Sequence, residues 1–462
     1  MTSIQKFLVN NITRKIKVAV VGDIGIDEYY EVDASRVSPE YAIPVMLASN
    51  NLPHKSVLGM AGNVCGQFKY FNADVSFIGL IDSYSKDLLN KSEINSENCI
   101  SVQTGFNAPV KKRFNQAGFP LCRLDIEKSG QELFNAHHKE IDLLAQNYNS
   151  LTTPDVVILS DYNKGLFHTD VHRWIRQDCI TIVDPKKGPI SKWKGCTVFK
   201  PNFKEACELS GHTDPEDQCN YFYNELDCTA VVVTHGGKGV YGSVLGRFFE
   251  FVPKDKVSVA SVIGAGDCFI SFLAMALAHN VDIIDAIEIA YEAGAKYIQK
   301  GYNAPVSPSE FVSGIVLPEL LTNRNYRLAF TNGCFDGGLT RGHVECLKFA
   351  KQQGDKLVVA INSDESVKRI KGEGRPFLPL IDRMEIVAAL DCVDFVVSFD
   401  EDTPFEIIKK IEPNLIVKGG DYTKDQVIGK ELASVVLCPY IDALSTTDKS
   451  QLSGWQEWIQ QK

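Results

Sequence analysis

The chain has 462 residues, of which 44% are hydrophobic and 23% are charged, and its formal net charge is -10 at pH 7. This composition is typical of a globular protein, and the length is sufficient for two or three domains with full-sized cores. The negative charge argues against a nucleic-acid-coating surface, because nonspecific affinity for phosphate backbones needs clustered lysine and arginine. The longest apolar run, residues 268–278, is far shorter than a membrane span. We therefore expect neither nucleic acid nor a membrane as a partner.

The cysteine pattern and the first residues indicate a cytoplasmic protein. Thirteen cysteines are scattered singly from Cys65 to Cys438, with no Cys-x-x-Cys pair. This pattern favours reduced thiols in a reducing compartment. Residues 1–17 lack the apolar segment of a secretory signal. Their basic character would also suit a transit peptide, but the first predicted strand begins too soon after them.

Short runs of β-branched residues recur through the first 235 residues. Continuous runs without polar alternation predict strands that are covered on both faces, as in a mostly parallel sheet. The runs occupy residues 18–21, 156–159, 181–183, 197–199 and 230–233. Each run ends in polar residues or glycine, as in Thr234-His235-Gly236-Gly237. Because ligands bind at the carboxyl ends of strands in open α/β sheets, these residues are predicted to surround a binding site.

A glycine-rich motif, Gly264-Ala265-Gly266-Asp267, stands immediately before a long apolar stretch that is predicted to be helical. Backbone N–H groups at such a helix N-terminus point toward a bound anion. Asp267 would then face a hydroxyl group that attacks a bound phosphate, which is the position of a general base. Taken alone, the motif is also compatible with an ordinary glycine-rich helix cap.

Prolines and polar residues at 303–308 and 317–318 interrupt this helical pattern. A second series of predicted strands follows at residues 326–331, 356–361, 394–398, 415–418 and 434–437. We therefore predict a first domain at residues 1–316, a linker at 317–325 and a second α/β domain at 326–462.

The first 300 residues resemble the ribokinase-like sugar kinases, and specifically the kinase half of the bacterial bifunctional heptose 7-phosphate kinase/heptose 1-phosphate adenylyltransferases. Eight ordered matches carry the resemblance. They are Gly22-Asp23 with Asp27, Arg36-Val37-Ser38-Pro39-Glu40, Gly59 with Asn63, Lys111 with Arg113, Ser160-Asp161-Tyr162-Asn163-Lys164-Gly165, Asp184-Pro185-Lys186, Pro201-Asn202 with Glu205, and Gly264 to Asp267. The resemblance implies a mostly parallel ribokinase-like fold and ATP-dependent sugar phosphorylation.

The resemblance also implies roles for individual residues. Asp23, Asp27 and Asn63 would bind sugar hydroxyls, and Lys111, Arg113 and Lys186 would hold a substrate phosphate. Asn202 and Glu205 would organise water around the magnesium ion that accompanies ATP, with Glu205 acting on the metal through water. Nucleotide contacts are also expected from Thr234, Gly237, Gly264, Ala265 and Gly266. The alternatives are local ones: a turn cap for Asp23, a solvated cation for Lys186, and a helix cap for Asn202 with Glu205.

One departure from this family pattern lies just before the glycine motif. The family usually has an acidic residue and a threonine where this chain has Ser261 and Ile263. A monovalent-cation site beside the loop therefore stays an open question.

The last 140 residues resemble small Rossmann-like nucleotidyltransferases, again of the heptose 1-phosphate adenylyltransferase type. The matches are Asn332 to Asp336, Gly342-His343, Asn362-Ser363-Asp364, Lys368-Arg369, Lys371-Gly372, Arg375-Pro376, Arg383-Met384, Lys418-Gly419-Gly420-Asp421-Tyr422 and Ser445-Thr446-Thr447. The resemblance implies adenylyl transfer, for which hydrogen-bond donors and cations must stabilise charge on the reacting phosphorus. His343 would donate to the α-phosphate or to pyrophosphate. The other expected nucleotide ligands are Asn332, Gly333, Phe335, Asp336, Gly342, Lys371, Arg383, Lys418, Ser445, Thr446 and Thr447.

The loop before His343 departs from the family pattern of His-x-Gly-His. Thr340 replaces the first histidine, and either Gly337 or Gly338 is an additional residue. A threonine hydroxyl can bond phosphate, so Thr340 is retained as a candidate catalytic residue beside His343 and Asp267.

These resemblances predict a bifunctional enzyme that uses phosphosugars and ATP with Mg²⁺ and assembles as a homo-oligomer, either a dimer or a tetramer. Two alternatives stay open. The same folds would act on another phosphosugar or on another nucleotide such as CTP, or the second domain would be a catalytically silent binding or dimerisation module.

Overall fold

The structure is a computed structural model with two compact units, Met1–Val306 and Ser307–Lys462. It describes residues 14–439 apart from 49–52, 98, 102–104, 118, 169–173, 254–258, 301–303, 312–313, 317, 323 and 420–421, and before residue 14 it describes Ile4, Phe7, Leu8 and Asn11. No helix in these described ranges is long and apolar enough to cross a membrane.

The first unit combines two larger sheets with flanking helices. Its strands are β1 (Ile16–Gly22), β2 (Ile24–Val37), β3 (Pro44–Ala48), β4 (Lys55–Met60), β5 (Ala73–Ile78), β6 (Leu80–Ile81), β7 (Ile100–Ser101), β8 (Val110–Gln116), β9 (Phe119–Ile126), β10 (Val156–Ser160), β11 (Ile180–Asp184), β12 (Val198–Phe199), β13 (Ala230–Thr234), β14 (Val240–Val244) and β15 (Arg247–Phe251). Its helices are α1 (Ala61–Gly66), α2 (Ser83–Lys91), α3 (Gly130–Asn149), α4 (Phe203–Ser210), α5 (Pro215–Leu226), α6 (Ala265–Ala278) and α7 (Ile283–Tyr297), with short 3₁₀ helices at Ile190–Trp193 and Gly236–Lys238.

The central sheet has eight strands in the order β15-β14-β13-β12-β11-β10-β1-β5. The pairings from β5 to β13 are parallel, and only β14 and β15 are joined antiparallel. β10 and most of β1 and β13 are buried, which agrees with strands covered on both faces. The predicted runs correspond to β1, β10, β11, β12 and β13, so the mostly parallel sheet is confirmed.

A second sheet of five strands, β3-β2-β8-β9 with β4 on β2, was not predicted from the sequence. We call it the lid sheet. In its parallel β2–β8 pair, Asp27 lies opposite Lys111 and Tyr29 lies opposite Arg113. This register places acidic and basic side chains on neighbouring strands.

Two glycines permit close backbone approaches near the ends of these strands. A Cβ atom on Gly22 would lie 2.5 Å from the Ser160 carbonyl oxygen, at the point where β1 and β10 end. Gly264 has a φ of 79° and precedes α6 as its N-cap, in the left-handed region that side chains disfavour. A Cβ atom there would also lie 2.6 Å from the Asn63 amide nitrogen.

The second unit is built on a six-stranded parallel sheet in the order β16-β19-β18-β17-β20-β21. Its strands are β16 (Gly314–Ile315), β17 (Leu328–Gly333), β18 (Lys356–Asn362), β19 (Phe395–Phe399), β20 (Leu415–Lys418) and β21 (Ser434–Leu437). Its helices are α8 (Arg341–Gln352), α9 (Asp364–Lys371), α10 (Leu380–Ala388) and α11 (Phe405–Ile411), with 3₁₀ helices at Pro308–Glu310, Pro318–Leu321 and Lys424–Gln426. The five predicted strands correspond to β17 to β21, and the second α/β fold is confirmed.

The strand β16 bears on where the first domain ends. Gly314 and Ile315 pair with Phe395 and Val396 of β19, so they belong to the sheet of the second unit. The sequence analysis assigned both residues to a first domain ending at residue 316. The boundary at which the chain can be divided into two active domains stays a prediction. A boundary after Val306 would keep β16 in the same domain as the sheet to which it belongs.

Candidate active sites

A cavity of about 270 Å³ lies in the first unit where β10, β11 and β13 end. Residues from the lid sheet and from the loop before α6 also line it. The predicted site residues that the structure brings together here are Asp27, Asn63, Lys111, Arg113, Lys186, Asn202, Glu205, Thr234, Gly264, Gly266 and Asp267. Their convergence at the carboxyl ends of parallel strands agrees with the location expected for a ligand.

Asp267 lies in the first turn of α6 and is only 7% exposed. Its Oδ2 accepts a hydrogen bond of 2.7 Å from the Asn63 amide, and its Oδ1 accepts one of 2.5 Å from the Tyr162 hydroxyl. Burial raises the pKa of Asp267, whereas the hydrogen bonds from Tyr162 and Asn63 act in the opposite direction. A buried carboxylate beside a helix N-terminus and a cavity has the setting that a general base requires.

Two of the three cations predicted to hold a substrate phosphate, Lys111 and Arg113, lie together on β8. Arg113 donates to Asp27 Oδ1 from Nε at 2.9 Å and from Nη2 at 2.7 Å. Burial lowers the pKa of Lys111, and Asp27 opposes this effect. Two cations therefore share one nearby carboxylate, which leaves positive charge on this wall of the cavity for an anionic group.

Asn202 and Glu205 form a reciprocal helix cap at the start of α4. The Asn202 side chain accepts from the Glu205 backbone at 2.9 Å, and Glu205 Oε2 accepts from the Asn202 backbone at 3.0 Å. Glu205 Oε1 is also 2.6 Å from Lys186 Nζ. The structure thus shows the capping alternative directly, and it places Lys186 against Glu205.

Several cavity residues received no role from the sequence, among them the polar residues Tyr162, Asp184 and Lys200. Lys200 is 2% exposed and lies 3.0 Å from Asp184 Oδ1. Burial raises the pKa of Asp184, and Lys200 opposes this effect. Asp184 and Lys200 both end predicted strands, so position alone could have nominated them. The contact between Tyr162 and Asp267 joins residues 105 positions apart and has no signal in the sequence.

The acids of this cavity are suitable in kind for magnesium. Asp184 and Glu205 supply carboxylate oxygens, and Mg²⁺ is commonly held by one or two carboxylates together with water and substrate phosphates. A preformed cluster of three or more His, Cys, Asp or Glu residues around a metal is not found within the described ranges. The donor set therefore fits a metal that arrives with ATP.

Three predicted residues of this unit do not line the cavity as the structure describes it. The Asp23 carboxylate accepts from the backbone N–H groups of Tyr162, Lys164 and Leu166 at 3.0, 3.0 and 3.4 Å. Burial and repulsion from Asp161 raise the pKa of Asp23 to about 6. Asp23 therefore stabilises the loop after β10 through these backbone hydrogen bonds. The other two residues are Gly237, which lies in an exposed 3₁₀ turn after β13, and Ala265, which is the first residue of α6.

The unusual residues before the glycine motif have a simple local arrangement. The Ile263 backbone donates to the Ser261 hydroxyl at 3.2 Å, and the Ile263 side chain lines the cavity. Ile263 thus places an apolar side chain in the cavity wall at the position where the sequence departs from the family pattern.

In the second unit, a group of polar side chains follows β17. Lys418 Nζ at the end of β20 lies 2.6 Å from the Asn332 side-chain oxygen. Asp336 accepts from Lys371 at 2.6 Å and also from Arg375. Burial alone would raise the pKa of Asp336, but Lys371 and Arg375 hold this pKa below its usual value. Three cations thus converge on the loop that leaves β17.

The extra glycine is accommodated in a tight turn within that loop. Phe335 has a φ of 50° and Gly338 a φ of 87°, and the Gly338 N–H donates to the Phe335 carbonyl at 3.1 Å. Helix α8 still begins directly after Thr340. The insertion therefore leaves Gly342 and His343 in the first turn of that helix.

Thr340 and His343 form a reciprocal cap at the start of α8. The Thr340 hydroxyl accepts from the His343 backbone at 3.4 Å, and the Thr340 backbone N–H donates to His343 Nδ1 at 3.1 Å. Since Nδ1 accepts this bond, the neutral ring carries its proton on Nε2. Burial and the charge of Lys371 lower the pKa of His343, which favours this neutral form. The ring also packs edge-on against Phe335, with centroids 5.3 Å apart.

Arg383 has a different setting from the phosphate ligand that the sequence suggested. It is 1% exposed, and its guanidinium donates to the carbonyl oxygens of Leu378, Cys334 and Asn362 at 3.0, 2.6 and 2.8 Å. It also lies 2.5 Å from Asp364 Oδ1. Arg383 is therefore a buried side chain that links several loops of the site through hydrogen bonds. The predicted ligands Ser445, Thr446 and Thr447 lie outside the described residues.

Comparisons with known proteins agree with this two-part architecture. Residues 15–309 match the pfkB family of carbohydrate kinases, and residues 330–444 match the cytidylyltransferase-like family. The ribokinase of Thermotoga maritima shares the fold of the first unit, with a TM-score of 0.50 and 22% identity over 62% of this chain and 95% of its own. The protein is thus a carbohydrate kinase joined to a nucleotidyltransferase.

Relatives with the same two-part organisation span nearly the whole chain. The bifunctional protein HldE of Campylobacter jejuni is 33% identical over 457 residues, covering 94% of this chain and 96% of the relative. HldE of Nitrobacter winogradskyi is 33% identical over 485 residues, covering 95% of this chain and 96% of the relative. The chain belongs to the HldE family of bifunctional proteins.

Proposed function

We propose that this protein catalyses two steps of ADP-heptose synthesis. The first unit phosphorylates the anomeric hydroxyl of heptose 7-phosphate to give the 1,7-bisphosphate, and the second transfers AMP from ATP to heptose 1-phosphate, releasing pyrophosphate. A separate phosphatase removes the 7-phosphate between these steps. The observation that carries the proposal is the presence of both sites in one chain that matches HldE along almost its whole length.

In the kinase unit, Asp267 takes the proton of the anomeric hydroxyl as that oxygen attacks the γ-phosphorus of ATP. The bond to the β-phosphate oxygen breaks and ADP leaves. Backbone N–H groups at the start of α6, with Lys200 nearby, stabilise the charge of the transferred phosphoryl group. Lys111 and Arg113 offer charge for the phosphate at the other end of the sugar.

Magnesium accompanies ATP in this proposal. When bound, it neutralises charge on the nucleotide phosphates. Glu205 and Asp184 would hold it, Glu205 acting through water. For Glu205 to do so, the contact with Lys186 must loosen, which frees Lys186 for a phosphate group.

In the second unit, an oxygen of the sugar 1-phosphate attacks the α-phosphorus of ATP, and the bond to the β-phosphate oxygen breaks. The Nε2–H group of His343 donates a hydrogen bond to an α-phosphate oxygen or to the leaving pyrophosphate. Lys371 and Lys418 supply positive charge at the same loop. Thr340 acts by capping α8 and orienting the His343 ring.

We also propose a homo-oligomer in the cytoplasm. β9 is exposed along its whole length and carries apolar side chains, among them Phe119, Leu121, Leu124 and Ile126. Large exposed apolar surfaces mark interaction sites, and a second copy of the chain would cover this one. All thirteen cysteines lie in the described residues and none forms a disulfide, which agrees with a reducing compartment.

The proposal is tested with purified protein, Mg²⁺, ATP and a panel of phosphosugars, followed by mass spectrometry. Heptose 7-phosphate should give a bisphosphate and ADP, and heptose 1-phosphate should give ADP-heptose and pyrophosphate. If the protein converts only another phosphosugar, or transfers a nucleotide only from CTP, these folds have a different substrate. Kinase activity without any nucleotidyl transfer would make the second unit a silent module.

A further inference from the structure

Tyr162 is placed against the predicted base although no motif assigned it a function. It follows β10, lines the kinase cavity, and its hydroxyl lies 2.5 Å from Asp267 Oδ1. Asn63 donates to the other oxygen, Oδ2, at 2.7 Å. Two donors on different oxygens fix the plane of the carboxylate. Because each carboxylate oxygen accepts two hydrogen bonds, both oxygens can still receive a proton from a substrate hydroxyl.

The backbone around Tyr162 is also fixed by contacts with other parts of the first unit. Its backbone N–H donates to Asp23 Oδ2 at 3.0 Å, and the preceding residue, Asp161, forms an ion pair of 2.9 Å with Lys192. Asp23 is buried at the end of β1. A continuous series of contacts therefore runs from β1 through Asp23 and Tyr162 to the base on α6.

We infer that Tyr162 is a positioning residue of the kinase reaction, whose hydroxyl holds Asp267 in the orientation and ionised state that accept the sugar proton. This inference deepens the proposed kinase function and rests on it. In the step itself, the sugar O–H proton passes to Asp267, the sugar oxygen forms its bond to the γ-phosphorus, and ADP leaves with the electrons of the broken bond. Tyr162 keeps its own proton throughout.

The electrostatics of the pair agree with this role. Burial, with the negative charge of Asp267, raises the pKa of Tyr162 well above its usual value, so the phenol stays a donor. The hydrogen bond from Tyr162 opposes the rise that burial causes in the pKa of Asp267. The other charged or titratable groups that face the pair are Asp27, Asp184, Lys200, Glu205 and Tyr297. None of these is altered by a change at Tyr162.

The test is the pH dependence of kcat/KM for the phosphosugar in Tyr162→Phe. Loss of a donor to an ionised carboxylate should lower the rate at neutral pH about tenfold or more. Because the base must be deprotonated, and the lost bond favoured the ionised form, the acid limb of the profile should move to higher pH. The KM for ATP should be unchanged. Tyr148→Phe is the matched control, since that buried hydroxyl lies outside the lining of the kinase cavity and donates to the Trp174 carbonyl at 3.0 Å.

A second substitution keeps the aromatic ring and its packing. Placing 3-fluorotyrosine at position 162 makes the phenol a stronger donor, so the acid limb should move to lower pH. A limb that stays in place in both proteins, or a rate loss that is uniform with pH, would overturn the role of Tyr162 while leaving the kinase assignment intact. Absence of sugar phosphorylation by the unmodified protein would instead refute the proposed function itself.

Discussion

His343→Ala should abolish most adenylyl transfer without affecting the kinase. The structure gives this histidine one defined task, because its Nδ1 is occupied by the Thr340 backbone and its proton must therefore lie on Nε2. The substitution removes that donor and the edge-on packing against Phe335. It leaves the cations Lys371 and Lys418 in place.

The expected magnitude is that of losing one preorganised donor to a developing oxyanion, which costs about 10²- to 10³-fold in kcat, or about 3 to 4 kcal/mol. Thr340→Ala should cost less in rate, because the Thr340 N–H still sets the His343 tautomer. It should instead lower helix stability by about 1 kcal/mol through loss of the cap. His343→Gln restores an N–H donor and should give an intermediate rate.

The assay is pyrophosphate release from ATP and heptose 1-phosphate, measured beside sugar phosphorylation in the same preparations. Lys348→Ala is the control, since this exposed residue lies on the same helix. Because the pKa of His343 is lowered, the working ring is already neutral, and the wild-type rate should not fall as pH rises above about 7. Full pyrophosphate release by His343→Ala would refute this reasoning. A wild-type rate that falls with deprotonation of a histidine would show that the cation is the active form.

Asp267→Asn should lower sugar phosphorylation by about 10²- to 10⁴-fold and leave ATP binding intact, and a loss under tenfold measured by ADP release would exclude a general base. Cutting the chain after Val306 should give two fragments that each keep their activity. A cut within residues 316–325 should give a less stable second fragment, because that fragment lacks β16. Equal stability of the two second fragments on thermal unfolding would contradict this. Arg383→Ala should lower the unfolding free energy of the second unit by about 3 kcal/mol, because it leaves buried carbonyl groups without a donor. Calorimetry should show no such change for the exposed Lys409→Ala.

The strands and the glycine motif could be predicted because their signals are local. Continuous β-branched runs identified β10 and β13, and Gly264 marked the left-handed residue before α6. The lid sheet was missed because β3 and β9 are largely exposed and β8 is half-buried. The buried start of β2 carries the charged residues Asp27 and Glu28, so no continuous apolar run marks it.

Site membership was easier to predict than the contacts within the site. Lys111 and Arg113 do meet in one cavity with Asp267. The pairing of Lys186 with Glu205 depends on distances between separate strand ends, which the sequence does not contain. The same limit applies to Arg383, because its four protein acceptors lie far apart in the sequence and the sequence does not show that they meet.

One reaction tests the central claim most directly, namely that this single chain performs the first and last steps around a separate dephosphorylation. Heptose 7-phosphate, ATP and Mg²⁺ are incubated with the protein, with and without a phosphatase that removes the 7-phosphate. The account predicts a bisphosphate alone in the first case and ADP-heptose in the second. No ADP-heptose in the presence of an active phosphatase, or its formation without one, would contradict the account.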